Sequence, residues 1–175
     1  MDGWPTEPDK QRNCSGRTNT KINCLQINLR HSKVATDNLL KIIDEEGTDI
    51  VCIQEPYTIG SKVMGLPRSY AVFASGTGRK RAAIVIKNKH IDTILLTQLS
   101  DEDVVVVETR VEKVTLIIVS MYFDINRPID IDLQKMQTVI MHAKGVGIIF
   151  ALDSNARSTS WHDVLTNNRG KKLEE

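Results

Sequence analysis

Lys21-Ile22-Asn23-Cys24-Leu25-Gln26-Ile27-Asn28-Leu29 places apolar side chains on both faces of an extended segment. A strand with one wet face would alternate apolar and polar residues, whereas a strand lying between two layers is apolar on both sides. The residues that follow keep to a layered plan. Ser32 is placed to cap a helix with Ala35, Leu39, Leu40 and Ile43 at helical spacing, and Gly47 supplies a left-handed stop. Asp49–Ile53 reads as a short buried strand, halted at Glu55-Pro56-Tyr57 because proline cannot extend a ladder.

Further strands are expected at Tyr70–Ala74, Ala82–Ile86, Ile91–Leu96, Val104–Val111 and Thr115–Met121, separated by Gly-, Lys- and Asp-rich turns. A second helix is expected over Ile131–Lys144, striped by Leu133, Met136, Ile140 and Ala143 and stopped by Gly145. Val146–Leu152 reads as a last buried strand. This order predicts the α/β class, as a sandwich of two packed mixed sheets with flanking helices rather than one doubly wound sheet.

A chain of 175 residues, 41% of them hydrophobic, suffices for one domain with a sizeable core. That domain is assigned to residues 21–175. Residues 1–20 are polar and Pro-containing without an apolar period, and read as a flexible arm that cannot offset the entropy of ordering. A formal net charge of +1 excludes recognition of nucleic acid by the field of the whole molecule, so such a role must rest on local clusters. Cys14, Cys24 and Cys52 are an odd number of thiols, two of them in apolar runs, which points to a reducing intracellular compartment. No secretory signal is visible, and no apolar run approaches the ~20 residues needed to span a bilayer, so no membrane partner is expected.

Chemistry is concentrated where apolar strands end: Asn28, Glu55, Tyr122 or its neighbour Asp124, and the pair Asp153 and Asn155. Strand ends are where α/β proteins gather their sites. Oxygen donors without a His-Cys cluster suit a hard cation such as magnesium, which keeps most of its waters, and disfavour zinc. A strand delivers Asp153 and Asn155 to one side, where one can orient water and the other hold phosphate. The competing reading is a plain Asx turn after a strand.

Several stretches carry a resemblance. They are Cys24-Leu-Gln-Ile-Asn-Leu-Arg-His-Ser32, Asp49-Ile-Val-Cys-Ile-Gln-Glu-Pro-Tyr57, Arg81-Ala-Ala-Ile-Val-Ile86, Ser120-Met-Tyr122, and Phe150-Ala-Leu-Asp-Ser-Asn-Ala156 with Trp161 beyond. The chain resembles the endonuclease/exonuclease/phosphatase family, and within it the endonuclease domain of insect LINE-type (non-LTR) retrotransposons. The resemblance implies a DNase I-like fold and magnesium-dependent nicking of DNA, with manganese as a possible substitute. It also implies that Asn28 and Glu55 help to hold the metal and that Tyr122 contacts the scissile phosphate. Asp153 would activate the attacking water, and Asn155 would hydrogen-bond the phosphate as charge develops. A reverse transcriptase domain is the partner implied in a full-length element, and the nucleus a compartment compatible with that role. Two alternatives stay open: a catalytically inactive relic that at most binds nucleic acid, and a phosphatase or lipid phosphodiesterase of the same family.

Members of the family carry, on later strands, a further aspartate and a closing Ser-Asp-His motif, and the sequence reaches Glu175 without either. On that basis the domain is expected to be incomplete at its C-terminal side, with impaired activity. Of His31, His90, His142 and His162, only His162 is retained as a stand-in for the missing histidine. For substrate contact the candidates are Arg157 and Trp161, close in sequence to Asp153 and Asn155, and Arg79, Lys80 and Arg81 in the densest basic stretch. The basic stretch reads either as a solvated hairpin tip or as a DNA-backbone contact that carries no sequence choice. Trp161 is equally readable as a half-buried loop anchor.

Overall fold

Strands β1 (Cys24–Asn28) and β2 (Ile50–Gln54) pair in parallel, with Asn28 opposite Gln54, because α1 (Lys33–Glu45) returns the chain between them. These elements begin a computed structural model that describes residues 21–175. The arm expected over residues 1–20, Cys14 included, lies outside the described residues. Ser32 caps α1 as its position predicts, its Oγ accepting the Ala35 N–H at 3.2 Å. Gly47 turns the chain at φ 59°. Leu39 and Ile43 are buried against the sheet.

Strands β3 (Thr58–Ile59) and β4 (Lys62–Val63) form a small hairpin. β5 (Ala71–Phe73) and β6 (Ala82–Ile86) then complete a first sheet in the order β1-β2-β6-β5. The second sheet has the order β10-β9-β8-β7, from β7 (Asp92–Leu95), β8 (Val104–Val111), β9 (Val114–Tyr122) and β10 (Gly147–Asp153). Here α2 (Ile129–Ala143) makes the crossover, so β9 and β10 run parallel and Asp153 falls opposite Tyr122. A third helix, α3 (Asn168–Glu174), ends the chain.

Three apolar clusters define four layers. Ile50, Cys52, Ile84, Val105, Val107 and Ile118 fill the space between the sheets. Val51, Ile53, Ala83 and Val85 cover the outer face of the first sheet with Leu39 and Ile43 of α1. Val106, Ile117, Val119 and Met121 pack beneath Ile129, Val139 and Ala143 of α2. This is the expected α/β sandwich of two mixed sheets with flanking helices. Because both faces of β2 and β6 are covered, all ten of their residues are buried and neither shows alternation.

The apolar stripe of α2 differs from the expected one. The helix begins two residues before Ile131, and its buried positions are Ile129, Asp132, Val139 and Ala143. Ile140, about 100° around the axis from Val139, is 47% exposed. Among the described residues no helix is long and apolar enough to cross a membrane.

Candidate active site

The two sheets are pinned together by a buried amide and a buried hydroxyl, with a second amide at their edge. Gln54, fully buried at the end of β2, donates through Nε2 to Ser120 Oγ on β9 at 3.0 Å and to the Ala151 carbonyl on β10 at 3.1 Å. Ser120 Oγ returns a bond to the Ile53 carbonyl at 3.0 Å, and Gln26 Nε2 bridges Gln54 Oε1 and the Leu152 carbonyl. Each buried polar group is thereby satisfied in a region where an unpaired one would cost about 1–3 kcal/mol. The consequence is positional: the C-terminal ends of β1 and β2 are held against those of β9 and β10.

The polar residues singled out in the sequence meet at those ends. Asn28 Nδ2 donates to Asp153 Oδ2 at 2.7 Å, a bond that spans the two sheets. Asn28 Oδ1 accepts the Arg30 N–H at 2.8 Å, so both ends of the amide are fixed. Asp153 Oδ1 accepts the Asn155 N–H at 3.1 Å, and Asn155 Nδ2 donates to the Phe123 carbonyl at 2.9 Å. The Asx turn and a polar cluster thus coexist. Tyr122 stands among them: burial, and after it the negative charge of Glu55, push its phenol above the ordinary value, a hydrogen bond from Asn155 opposes the rise, and Asp153 adds to it. A phenol so raised stays protonated at neutral pH and offers its O–H as a donor.

Glu55 follows β2 with φ 47°, in the left-handed region. Its N–H donates to the Arg81 carbonyl at 2.8 Å and its carbonyl accepts the His31 N–H at 2.7 Å. The His31 ring shares a hydrogen bond between Nδ1 and the Pro56 carbonyl at 2.8 Å, and its Nε2 lies 3.6 Å from Glu55 Oε1. Glu55, His31, Tyr122, Asp124, Arg79 and Arg81 line an open cleft of about 530 Å³.

An arginine-carboxylate network backs this cleft. Arg81 forks onto Asp103 at 2.5 and 2.8 Å, reaches Asp124 Oδ2 at 2.5 Å, and lies 5.5 Å from the centre of the Tyr122 ring. Burial works against its charge, but Asp103 and Asp124 outweigh burial and keep it protonated. Asp124 in turn is held below the usual carboxylate range by the Asn126 amide and by Arg81. Arg127 donates to Asp103 at 2.8 Å and to the fully buried Asp132.

The basic stretch is not one exposed patch. Lys80 is 6% exposed, and its ammonium donates to the Gly76 and Gly78 carbonyls at 2.6 and 3.0 Å. Glu102 accepts the Thr77 and Gly78 N–H groups at 2.7 and 2.8 Å, so the loop is pinned from both sides. Lys80 and Arg81 therefore serve the fold, and of the three cations Arg79 is the exposed one. Beyond β10, Arg157 is exposed but paired with Asp163 at 2.8 and 2.9 Å, and Trp161 is 41% exposed on a short 3-10 turn. His162 ends that turn, exposed, at φ 65°. His90 is exposed after β6 and His142 is exposed on α2.

Three residues of the site went unread in the sequence. Gln54 and Ser120 were visible only as polar interruptions of apolar strands, and His31 only as a residue in a turn. A glutamine inside a run with no other polar residue was the available signal, since burying an amide demands partners.

Among the described residues no three of His, Cys, Asp or Glu converge on one point. What the strand ends offer is the amide oxygen of Asn28 and the Glu55 carboxylate beside an open cleft, a sparse set of hard oxygen donors. That set fits a cation that keeps most of its own waters, as magnesium does.

Comparison with known proteins agrees with the fold. No family model matches the chain. The endonuclease domain of TRAS1, a telomere-specific non-LTR retrotransposon, superposes with a TM-score of 0.79 at 32% sequence identity, over 88% of this chain and 68% of that one. D. rerio TDP2 complexed with a single strand DNA product gives 0.56 at 16% identity, covering 79% of this chain and 62% of the other. The AP endonuclease LMAP from Leishmania major gives 0.53 at 14%, covering 77% and 55%. At such identities these two show a shared fold. A 115 kDa protein in the type-1 retrotransposable element R1DM of Drosophila melanogaster is 24% identical over 142 residues, which is 81% of this chain and 14% of that protein. The chain thus spans about one seventh of the curated relative it matches. By its DNase I-like sandwich and its 32% identity across two thirds of the TRAS1 domain, the chain belongs to the endonuclease/exonuclease/phosphatase family, among the endonuclease domains of non-LTR retrotransposons.

Proposed function

We propose that the chain hydrolyses phosphodiester bonds in DNA, making single-strand nicks in the manner of retrotransposon target-site cleavage, with magnesium bound at Asn28 and Glu55. One observation carries the reading: the Asn28–Asp153 hydrogen bond of 2.7 Å joins the residue that would hold the metal to the residue that would activate water, across two different sheets. Similarity to the TRAS1 endonuclease domain supports the choice of DNA.

Asp153 is the acceptor for a proton from the attacking water. Its two bonds, from Asn28 and from the Asn155 backbone, leave lone pairs free on both oxygens and fix the plane of the carboxylate. Asn155 gives its amide N–H groups to the Phe123 carbonyl and the Tyr122 oxygen, and Tyr122 offers its phenolic O–H to a phosphoryl oxygen as negative charge accumulates, with Asn155 joining it by exchanging its bond to Tyr122 for one to the phosphate. Magnesium, when bound, supplies Lewis-acid neutralisation of a phosphate oxygen. Arg81 and Asp124 fix the wall behind Tyr122, and Arg79 at the cleft mouth is free to meet the DNA backbone.

The test is relaxation of supercoiled plasmid by the purified chain in magnesium, with Asp153→Ala and Glu55→Ala prepared in parallel. Each substitution is expected to lower the rate about 10²-fold or more, because each removes a group acting on the transition state. Equal nicking by wild type and Asp153→Ala would remove the proposal.

A further inference from the structure

We infer that Arg169, on α3 and outside the residues assigned above, is a positioning residue that staples the two loops carrying the active-site side chains. One branch of its guanidinium, Nη1, donates to the Asp124 carbonyl at 3.2 Å and the Arg127 carbonyl at 2.9 Å. The other, Nη2, donates to the Ser154 carbonyl at 3.1 Å. The first two carbonyls belong to the loop leaving β9, directly after Tyr122. The third lies between Asp153 and Asn155. A single side chain therefore fixes the β9 loop and the β10 loop relative to each other, alongside the Asn155–Phe123 bond.

Arginine suits this task chemically. Three carbonyls approached from two edges of one plane match the fixed fork of a guanidinium, whereas an ammonium on a flexible stem donates from a single point. The support behind Arg169 is firm. Asn167 caps α3 by accepting the Gly170 N–H at 2.7 Å. A Cβ at Gly170 would stand 2.0 Å from the Arg157 carbonyl oxygen, so the helix lies directly on the chain that follows Asn155. Lys172 pairs with Asp130 of α2 at 2.6 Å, and Leu173 packs into the α2 core.

What Arg169 holds is a turn with a left-handed residue at its centre. Asn155 has φ 47°, a conformation that an asparagine tolerates but does not prefer, and the Ser154 carbonyl immediately precedes it. Release of that carbonyl frees the peptide plane whose rotation moves the Asn155 amide away from Asp153. In positioned catalysis a displacement of about 1 Å costs about 10²-fold in rate. The inference rests on the proposed roles of Asp153 and Asn155.

The experiment uses the full chain with Arg169→Ala and Arg169→Lys, read by amide hydrogen exchange and by magnesium-dependent plasmid nicking. Loss of the staple is expected to raise exchange about tenfold over residues 124–127 and 153–157 while residues 50–54 and 82–86 stay protected. Turnover is expected to fall about 10²-fold in Arg169→Ala with KM within about twofold, and lysine to restore little of it. Unchanged exchange in both loops overturns the inference, and so does changed exchange with wild-type turnover. Should the wild type nick no faster than Asp153→Ala, the proposed function fails, and the exchange data still decide whether Arg169 staples the loops.

Discussion

Glu55 and Asn155 both stand at φ 47°, where a side chain crowds the following carbonyl at a cost of about 1–2 kcal/mol for most residues. At Glu55 the surrounding bonds from His31 and to Arg81 hold the backbone there, which aims the carboxylate into the cleft instead of along the strand. Strain and function can be separated by two substitutions. Glu55→Gly is expected to melt at or above the wild-type temperature because it removes the Cβ conflict, and Glu55→Ala below it. Both should lose magnesium affinity in calorimetric titration. Unaltered magnesium binding in either variant would rule out Glu55 as a ligand. Charge at the cleft mouth gives a second residue-level prediction. Arg79→Glu should weaken DNA binding uniformly across sequences and reduce the salt slope by about 1. An unchanged slope in anisotropy titrations would return Arg79 to the solvent. Asn28, Glu55, Tyr122, Asp153 and Asn155, the residues of the proposed site, stand out in the sequence because each is polar at the end of an apolar run. Arg169 and His31 were not, since what they hold lies in other loops and only the folded chain brings it near.

At the level of elements, β6 and β8 coincide with the sequence reading because short β-branched runs bounded by turn residues on both sides favour strands. The hairpin of β3 and β4 and the helix α3 escaped it. Two-residue strands leave no period to detect, and Asn-Arg-Gly-Lys-Lys offers no apolar stripe; α3 is instead specified by its Asn167 cap and its docking on Arg157. The loop between β5 and β6 shows a similar dependence on distant partners, since Glu102, in the turn two residues before β8, holds it. The Gly78 amide, then its own backbone amide and that of Thr77, draw the Glu102 carboxyl from an ordinary 4.5 down to about 2, with burial opposing and Lys80 assisting. Because the folded value lies below the unfolded one, the support this carboxylate gives is complete above the unfolded value and is lost as pH falls towards about 2. The amide proton shifts of Thr77 and Gly78 should therefore titrate near 2 and not near 4.5, and the response should vanish in Glu102→Gln. A midpoint near 4.5 would mean that the loop is not held by this group.

For the whole molecule, two sheets built from separate halves of the chain each supply part of the proposed site. Residues 24–55 carry Asn28 and Glu55, and residues 114–155 carry Tyr122, Asp153 and Asn155. Their meeting depends on a polar seam of buried Gln54 and Ser120, closed at its exposed edge by Gln26, between otherwise apolar faces. The layered fold and the family were readable from element order and strand-end residues, whereas the seam was not, because sequence shows that an amide is buried without showing what it meets. In the proposed function the strand ends of both sheets form a single metal-and-phosphate site. Paramagnetic broadening of backbone amides by manganese, used in place of magnesium, should therefore remove signal simultaneously at residues 28–31, 55 and 153–155, an effect abolished in Glu55→Ala and reversed by excess magnesium. Broadening confined to one sheet's residues, or persisting unchanged in Glu55→Ala, would mean that the two sets of strand ends do not share a metal.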